Sequence, residues 1–163
     1  MSQDVAPFDS AQFRQVLGHF PTGVTVIAAM TDEGPVGMSV GSFFSVSLEP
    51  PLVAFCAGHS STTWPLIKPV GSFSVNILAE DQEHVCRLMA SKDADKFSGM
   101  GWKAASTGSP ILEGVLAWID CEIDVVHTAG DHDIVVGRVK ELEVAREGGP
   151  LLFFRGGYGA FSV

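Results

Sequence analysis

The segment Gly37–Val53, GMSVGSFFSVSLEPPLV, decides between two classes of fold. Its first five residues fit G-x-S-x-G, the pattern of the nucleophile elbow in serine hydrolases, where a helix follows the serine at once. After Ser39, however, apolar and polar residues alternate until Glu49-Pro50-Pro51, which indicates a strand and then a break. We therefore predict a β-rich fold in which Ser39 is not a nucleophile.

Segments on both sides of this stretch also show the pattern of strands. Val24–Met30 is rich in β-branched residues, and Leu52–Ala57 is apolar. In the segment Ala117–Val125 strict alternation puts Ala117, Ile119, Cys121, Ile123 and Val125 on one face and Trp118, Asp120, Glu122 and Asp124 on the other. We expect a core-facing side and a polar or partner-facing side in this strand.

Helices are few and lie between the strands. Asp9 or Ser10 can cap a helix whose apolar residues recur at helical spacing, and a second helix is predicted over 80–91. Counting segments gives seven or eight strands and two or three helices, with strands in hairpin-like succession. This order predicts a mostly β, antiparallel barrel with a few peripheral helices. We expect one domain over 1–163, with its core at about 13–160.

Charge and composition limit the partners. The 163 residues include 19 acidic and 10 basic ones, for a net charge of −9. No Lys/Arg cluster is present to contact nucleic acid or an anionic membrane, and no apolar run approaches the ~20 residues of a membrane span. The N-terminus lacks a signal-peptide pattern, and the three cysteines are far apart without C-x-x-C. We expect a cytoplasmic protein with reduced, buried thiols.

Two segments are candidate ligand sites. Gly37 and Gly41 would let a ligand approach the backbone, and nearby serines offer donors; the segment also fits an ordinary Gly/Ser strand edge. His59–Trp64, HSSTTW, offers hydroxyls and N–H groups at a helix start, which suits either a phosphate or a simple N-cap.

Other binding patterns are weak or missing. The turn at 127–133 contains two histidines and two aspartates, but without metal-ligand spacing, so we expect no metal. There is no G-x-G-x-x-G after a strand and no G-K-[ST], so neither a Rossmann nor a P-loop site is supported.

The motifs taken together resemble one known family. FPTGVTVI, GMSVGSFFSVSLEPPLVAF, SSTTWPLI, FSVNIL, DKFSG, GSPILEG, AWIDCEI, GDHDIVVGRV and PLLFFRGGYG occur in this order. The combination, over roughly Phe13 to Tyr158, is similar to the short-chain flavin reductases, the reductase components of two-component flavin-dependent monooxygenases. The resemblance implies a split β-barrel that binds FAD or FMN as a homodimer, with the flavin near the subunit interface.

The resemblance also implies roles for particular residues. The isoalloxazine ring would lie along Gly37, Met38, Ser39, Val40, Gly41 and Ser42. The ribityl chain and phosphate would follow Phe55, Cys56, Ala57, His59, Ser60, Ser61 and Thr62, with Lys92, Lys96 and Phe97 closing on the phosphate side. The nicotinamide cofactor would be received by His132, Arg155 and Tyr158, where His132 positions it and no catalytic residue is obligatory.

One position departs from the family pattern. Many members have M-T-A-N-S-F where this chain has Met38 to Phe43, so Gly41 replaces an asparagine and its side-chain hydrogen bond to flavin. Flavin preference therefore stays open. NADH is favoured over NADPH because no arginine is placed for a second phosphate. A non-catalytic flavin-holding module, a pyridoxamine-phosphate oxidase type of split barrel, and a serine hydrolase remain as alternatives.

Overall fold

Strands dominate the computed structural model, which describes residues 6–93 and 95–162. Within that region there are three α-helices, a 3₁₀ turn at Lys68–Val70 and twelve strands. The helices are α1 (Ser10–Leu17), α2 (Trp64–Ile67) and α3 (Glu83–Ala90). The strands are β1 (Thr22–Gly23), β2 (Thr25–Thr31), β3 (Gly34–Val40), β4 (Phe44–Ser47), β5 (Leu52–Gly58), β6 (Ser72–Ile77), β7 (Trp102–Ala104), β8 (Pro110–Leu112), β9 (Ala117–Ala129), β10 (His132–Val144), β11 (Leu151–Phe154) and β12 (Gly157–Ala160).

The main sheet has seven strands in the order β3-β2-β6-β9-β10-β5-β4, and every neighbouring pair is antiparallel. Its two edge strands, β3 and β4, are not neighbours in the sheet, so the barrel is split rather than closed. The predicted mostly β, antiparallel split-barrel class is confirmed. The strands beyond the predicted seven or eight are short ones, namely β1, the β7–β8 pair and β12.

The hydrophobic core lies on both faces of this sheet. One cluster includes the fully buried Ile27, Phe55, Phe73 and Val135, which lie on strands β2, β5, β6 and β10. The second lies between the sheet, α3 and β8, and contains Trp118. Most strands in the middle of the sheet therefore have side chains buried on both sides.

The predicted polar face of β9 is wrong for its first half. Trp118 is 3% exposed and Asp120 is fully buried. Asp120 accepts hydrogen bonds from Ser106 Oγ at 2.8 Å and from Thr107 N at 3.0 Å and Oγ1 at 2.6 Å. A loop between β7 and β8 thus covers this face, and a buried carboxylate is tolerated because donors surround it. Alternation alone could not show that a loop from elsewhere in the chain would cover this face.

Helix α1 begins as predicted but leaves its apolar stripe exposed. Asp9 Oδ1 accepts a hydrogen bond from Gln12 N at 2.7 Å, which is an N-cap. The apolar residues of and after this helix, Phe13, Val16, Leu17 and Phe20, are between 50% and 75% exposed. The stripe therefore does not pack on the core of this chain.

The expectation of buried thiols holds for two of the three cysteines. Cys86 and Cys121 are buried and Cys56 is half-buried, and all three are free. Among the described residues no helix is long and apolar enough to cross a membrane. Helix α3 starts at Glu83 rather than at 80, because Gln82 Oε1 accepts from the N–H of Ala79 and holds the preceding residues in a turn.

Candidate functional site

A cleft of about 290 Å³ brings together seven of the nineteen residues that the resemblance singles out. Strand β3, the loop after β5, the end of α3 and the loop that follows it form its walls. The residues named from the sequence that line it are Met38, Ser39, Ser60, Ser61, Thr62, Lys92 and Lys96. Segments more than 50 residues apart in the chain thus meet in one hydroxyl-rich and cationic cleft.

Ser39 is held by helix α3 in this cleft. Its hydroxyl donates to the carbonyl oxygen of Cys86 at 2.7 Å, and it lies on β3, followed by an irregular segment and β4 rather than by a helix. The nucleophile elbow requires a strand–serine–helix geometry. Ser39 is therefore a link between β3 and α3, and the hydrolase reading has no structural support.

Gly37 has no side chain, and this lets Met89 and Phe97 pack directly against its backbone. A Cβ there would be 3.0 Å from Met89 Sδ and 3.3 Å from Phe97 Cζ. Phe97 is 8% exposed and belongs to the core beside α3. A glycine at this position lets α3 and the loop after it lie directly on β3.

The two lysines of the cleft differ in their surroundings. Lys96 is 8% exposed, and its ammonium donates to the carbonyls of Gly37 at 3.0 Å and Met89 at 2.7 Å. Burial lowers the pKa of Lys96 from its ordinary value, although Asp93 opposes this shift. Lys92 forms no ion pair with any residue that the structure describes, so its ammonium is the one better placed to meet an anion.

The hydroxyl-rich loop is ordered by its own side chains. Ser61 Oγ accepts hydrogen bonds from the N–H groups of Thr63 at 3.2 Å and Trp64 at 3.1 Å. Ser61 Oγ thus accepts from the first N–H of α2, whereas the N-cap residue itself, Thr63, makes no side-chain capping bond. Ser60 and Thr62 line the cleft beside it. His59 does not line the cleft, because its ring is hydrogen-bonded to Asp133, with Nε2 2.9 Å from Oδ1.

A second groove, of about 470 Å³, passes along Gly41 and Ser42. Phe20, Thr22, Phe43 and Phe44 are among its other lining residues, so its walls are mainly apolar. Ser42 Oγ donates to the Cys56 carbonyl at 3.2 Å and accepts from the Cys56 N–H at 2.9 Å. This pair of hydrogen bonds fixes the turn after β3 against β5.

Three of the named residues direct their side chains into the core. Val40 is 8% exposed, Ala57 is fully buried, and Phe55 lies edge-on to Phe73 with ring centres 5.1 Å apart. Contact between any of these residues and a bound molecule would therefore involve backbone atoms.

The residues expected to receive the nicotinamide are not gathered in the cleft. The His132 ring is 3.5 Å from the position of a Cβ on Gly58, which lines the cleft, and its Nδ1 is 2.7 Å from Asp131 Oδ1. Arg155 and Tyr158 lie on the β11–β12 hairpin, outside the cleft. Tyr158 OH is 3.4 Å from Cys86 Sγ, a contact that, with burial, raises the pKa of the tyrosine.

Sequence reasoning missed the contribution of α3 and the buried acid on β10. Met89, Ala90 and Ser91 line the cleft, and Asp133 holds the loop that forms its other wall. The helical spacing over 80–91 located α3 but not the face it turns to β3. Among the described residues, no group of three or more His, Cys, Asp or Glu side chains could hold a metal ion.

The donors of the site fit a phosphorylated flat cofactor. Hydroxyls and an ammonium in the smaller cleft are suitable for a phosphate, and the apolar groove along Gly41 is suitable for a ring. A model of the family described as "Flavin reductase like domain" matches residues 17–162. This chain belongs to the flavin reductase-like family. The expected family membership is thereby confirmed.

Several individual proteins are similar to this family member. A flavin reductase from Pseudomonas putida is 56% identical over 156 residues, which covers 95% of this chain and 92% of that protein. The flavin-dependent monooxygenase reductase subunit HsaB of Rhodococcus jostii is 50% identical, over 92% of this chain and 77% of its own length. The FMN reductase (NADH) SmoA of Agrobacterium fabrum is 42% identical, over 94% and 87% respectively.

Solved structures agree in fold with this chain. Nitrilotriacetate monooxygenase component B from Mycobacterium thermoresistibile superposes with a TM-score of 0.91 and 46% identity, covering 94% of this chain and 87% of that one. The NADH:FAD oxidoreductase SgcE6 of Streptomyces globisporus, in complex with NAD and FAD fragments, has a TM-score of 0.86 and 35% identity, over 99% and 98%.

Proposed function

We propose that this chain is an NAD(P)H:flavin oxidoreductase that reduces free FAD or FMN and supplies the reduced flavin to a partner monooxygenase. The observation that carries the proposal is the cleft in which Ser60, Thr62 and Lys92 present hydroxyl and ammonium donors, in a member of the flavin reductase-like family. A separate apolar groove lies along Gly41 and Ser42, just after the strand that supplies Met38 and Ser39 to the cleft. The partner is supported by relatives named as monooxygenase reductase subunits.

The residues of the cleft divide the work of binding. Ser60, Thr62 and Lys92 would hold the phosphate, since they present hydroxyl and ammonium donors to one cavity. Gly41 and Ser42 would lie along the ring, and Lys96 keeps the loop after α3 closed on β3. Such a site has few fixed charges, which suits a flavin that must be released.

Hydride transfer between nicotinamide and flavin is chemistry that the two cofactors supply when bound. The protein would contribute by holding the two rings close together and face to face, which is an effect of proximity and orientation. His132, which borders the cleft beside Gly58, would position the nicotinamide. No side chain of the site has to donate or accept a proton in this scheme.

We favour NADH as the reductant and the cytoplasm as the compartment. Two relatives carry NADH in their names, one with FMN and one with FAD. Three free cysteines are typical of a reducing compartment.

We further propose a homodimer, on the basis of exposed apolar side chains. Leu48 is 96% exposed and follows the edge strand β4, on which Phe44 and Val46 are each 46% exposed. Large contiguous apolar patches are rare on monomeric proteins and often mark interfaces, so an apolar edge strand is a candidate dimer contact. Light scattering after size exclusion should give twice the chain mass, and Leu48→Asp should shift the mass toward that of one chain.

The first experiment mixes purified protein with NADH or NADPH and with FAD or FMN in air, and follows nucleotide absorbance. We expect rapid oxidation that depends on added flavin. Tight, stoichiometric flavin without turnover would indicate a flavin-holding module instead. No flavin-dependent oxidation in any of the four pairings would refute the reductase proposal.

A matched pair of variants tests the placement of the phosphate. Lys92→Met should raise the flavin KM about tenfold, the size of one lost charge-assisted hydrogen bond, with kcat little changed. Lys140→Met is the control, because Lys140 pairs with Glu122 at 3.6 Å on an exposed part of the sheet. Equal KM values for the two variants would remove Lys92 from the site.

A further inference from the structure

The hydroxyl-rich loop is held at both ends by one buried carboxylate. Asp133 lies on β10, and its side chain is 7% exposed. Its Oδ1 accepts from His59 Nε2 at 2.9 Å, and its Oδ2 accepts from Trp64 Nε1 at 2.9 Å. His59 precedes Ser60–Thr63 and Trp64 follows it, so the two hydrogen bonds enclose this stretch.

Other groups complete the surroundings of the carboxylate. Thr128 Oγ1 donates to Oδ1 at 3.3 Å, and Lys68 Nζ is 3.5 Å from Oδ2. The hydrogen bonds from Trp64 and His59 hold the pKa of Asp133 well below its ordinary value, so it stays ionised. A further bond ties the same loop to the same turn, since the His59 N–H donates to the Asp131 carbonyl at 2.9 Å.

We infer that Asp133 is a positioning residue for the flavin phosphate: it fixes the Ser60–Thr63 stretch in the place where its hydroxyls can bind. The inference rests on the proposed function. Ser60, Ser61, Thr62 and Thr63 all line the cleft, whereas Asp133 does not. The carboxylate therefore acts through the loop and does not contact the ligand.

The side chain of Trp64 transmits this constraint. Trp64 is 3% exposed and packs edge-to-face on Phe55, with ring centres 5.9 Å apart. Its indole N–H can only donate, so it needs an acceptor when buried. The hydrogen bond to Asp133 fixes Trp64, the first residue of α2. Ser61 Oγ then accepts hydrogen bonds from the N–H groups of Thr63 and Trp64.

The test compares flavins that differ in their phosphate. Riboflavin has the same ring and ribityl chain as FMN but carries no phosphate. We would titrate FAD, FMN and riboflavin into the protein without NADH and follow flavin fluorescence. For Asp133→Ala the Kd of the phosphorylated flavins should rise about tenfold, as for one lost charge-assisted hydrogen bond, and that of riboflavin less than about twofold.

Two further variants secure the comparison. Asp124→Asn changes an exposed acid that pairs with Arg138 at 3.1 Å, and all its Kd values should equal those of the wild type. If Asp133→Ala does not fold, Trp64→Phe keeps a smaller aromatic ring and removes the indole N–H donor, and should raise the Kd of FMN about threefold with riboflavin unchanged.

The outcomes separate this inference from the proposed function. Equal losses for riboflavin and the phosphorylated flavins, or no loss at all, would overturn the positioning role while leaving the reductase intact. Equal affinity of the wild type for FMN and riboflavin would also overturn it, because the loop would then not bind phosphate. A wild type that binds none of the three flavins would overturn the proposed function and this inference together.

Discussion

Substitution of Gly137 by alanine should destabilise the sheet at its centre. Gly137 lies on β10, and a Cβ there would be 2.6 Å from Phe73 Cζ and 3.1 Å from Cys121 Cβ. Both neighbours are fully buried, and the Phe73 ring is itself packed against Phe55. The new methyl group therefore cannot enter unless Phe73 moves.

The expected loss follows from the cost of overpacking. Inserting a methyl group into a packed core costs about 1–3 kcal/mol, and we expect about 2–3 kcal/mol here because backbone and ring both resist movement. For a chain of this length that corresponds to a fall in Tm of about 5–10 °C. Urea unfolding followed by circular dichroism, at one fixed protein concentration, measures the free energy of unfolding.

Two further variants test whether the clash is the cause. Gly159→Ala is the control, since a Cβ at Gly159 meets no atom within 4 Å, and should change stability by less than ~0.5 kcal/mol. Adding Phe73→Leu to Gly137→Ala should cost less than the sum of the two single changes by about 1 kcal/mol. A Gly137→Ala protein as stable as the control, or strict additivity, would refute the packing argument.

Two other side chains give testable predictions. Burial, together with the nearby Asp120 carboxylate, raises the pKa of the Cys121 thiol to about 12. Iodoacetamide at pH 9 should therefore leave Cys121 unmodified in the native protein and label it after unfolding, which peptide mass spectrometry measures. Because the unfolded thiol releases its proton near its ordinary pKa of 9.0 and the folded thiol near 12, this residue should make stability fall as pH rises across that window. Lys96→Met should lower the free energy of unfolding by about 3 kcal/mol, since two buried carbonyls lose charge-assisted hydrogen bonds, whereas Lys140→Met on the surface should lower it by less than ~1 kcal/mol in the same urea assay.

Much of the fold was predictable because strand periodicity is a local property. The segments around β2, β5, β6 and β9 show the apolar, β-branched or alternating residues of strands, and their close succession predicted antiparallel pairing. Strands β1, β7, β8 and β12 escaped prediction because their two to four residues show too little pattern. The exposed stripe of α1 shows that amphipathic spacing locates an apolar face without indicating what covers it.

The site was predictable only as far as its motifs are contiguous. HSSTTW marked a loop with hydroxyl donors, and G-x-S-x-G marked a segment without a following helix. Neither motif shows that the Ser39 hydroxyl donates a hydrogen bond to α3 or that the Lys96 ammonium donates to two carbonyl groups. Neither shows that Phe97 belongs to the hydrophobic core. These assignments depend on which faces meet after folding.

The sequence by itself determined the strand-rich class, the family resemblance and the segments that carry the candidate ligand groups. Tertiary structure alone decided which of those groups share a cleft and which acid holds them. Asp133 is 69 residues from Trp64 and 74 from His59, yet bonds to both. Hydrogen bonding needs proximity in space, and at such separations proximity is set by sheet register, which pairs Asp133 with Ala57, and not by any local pattern.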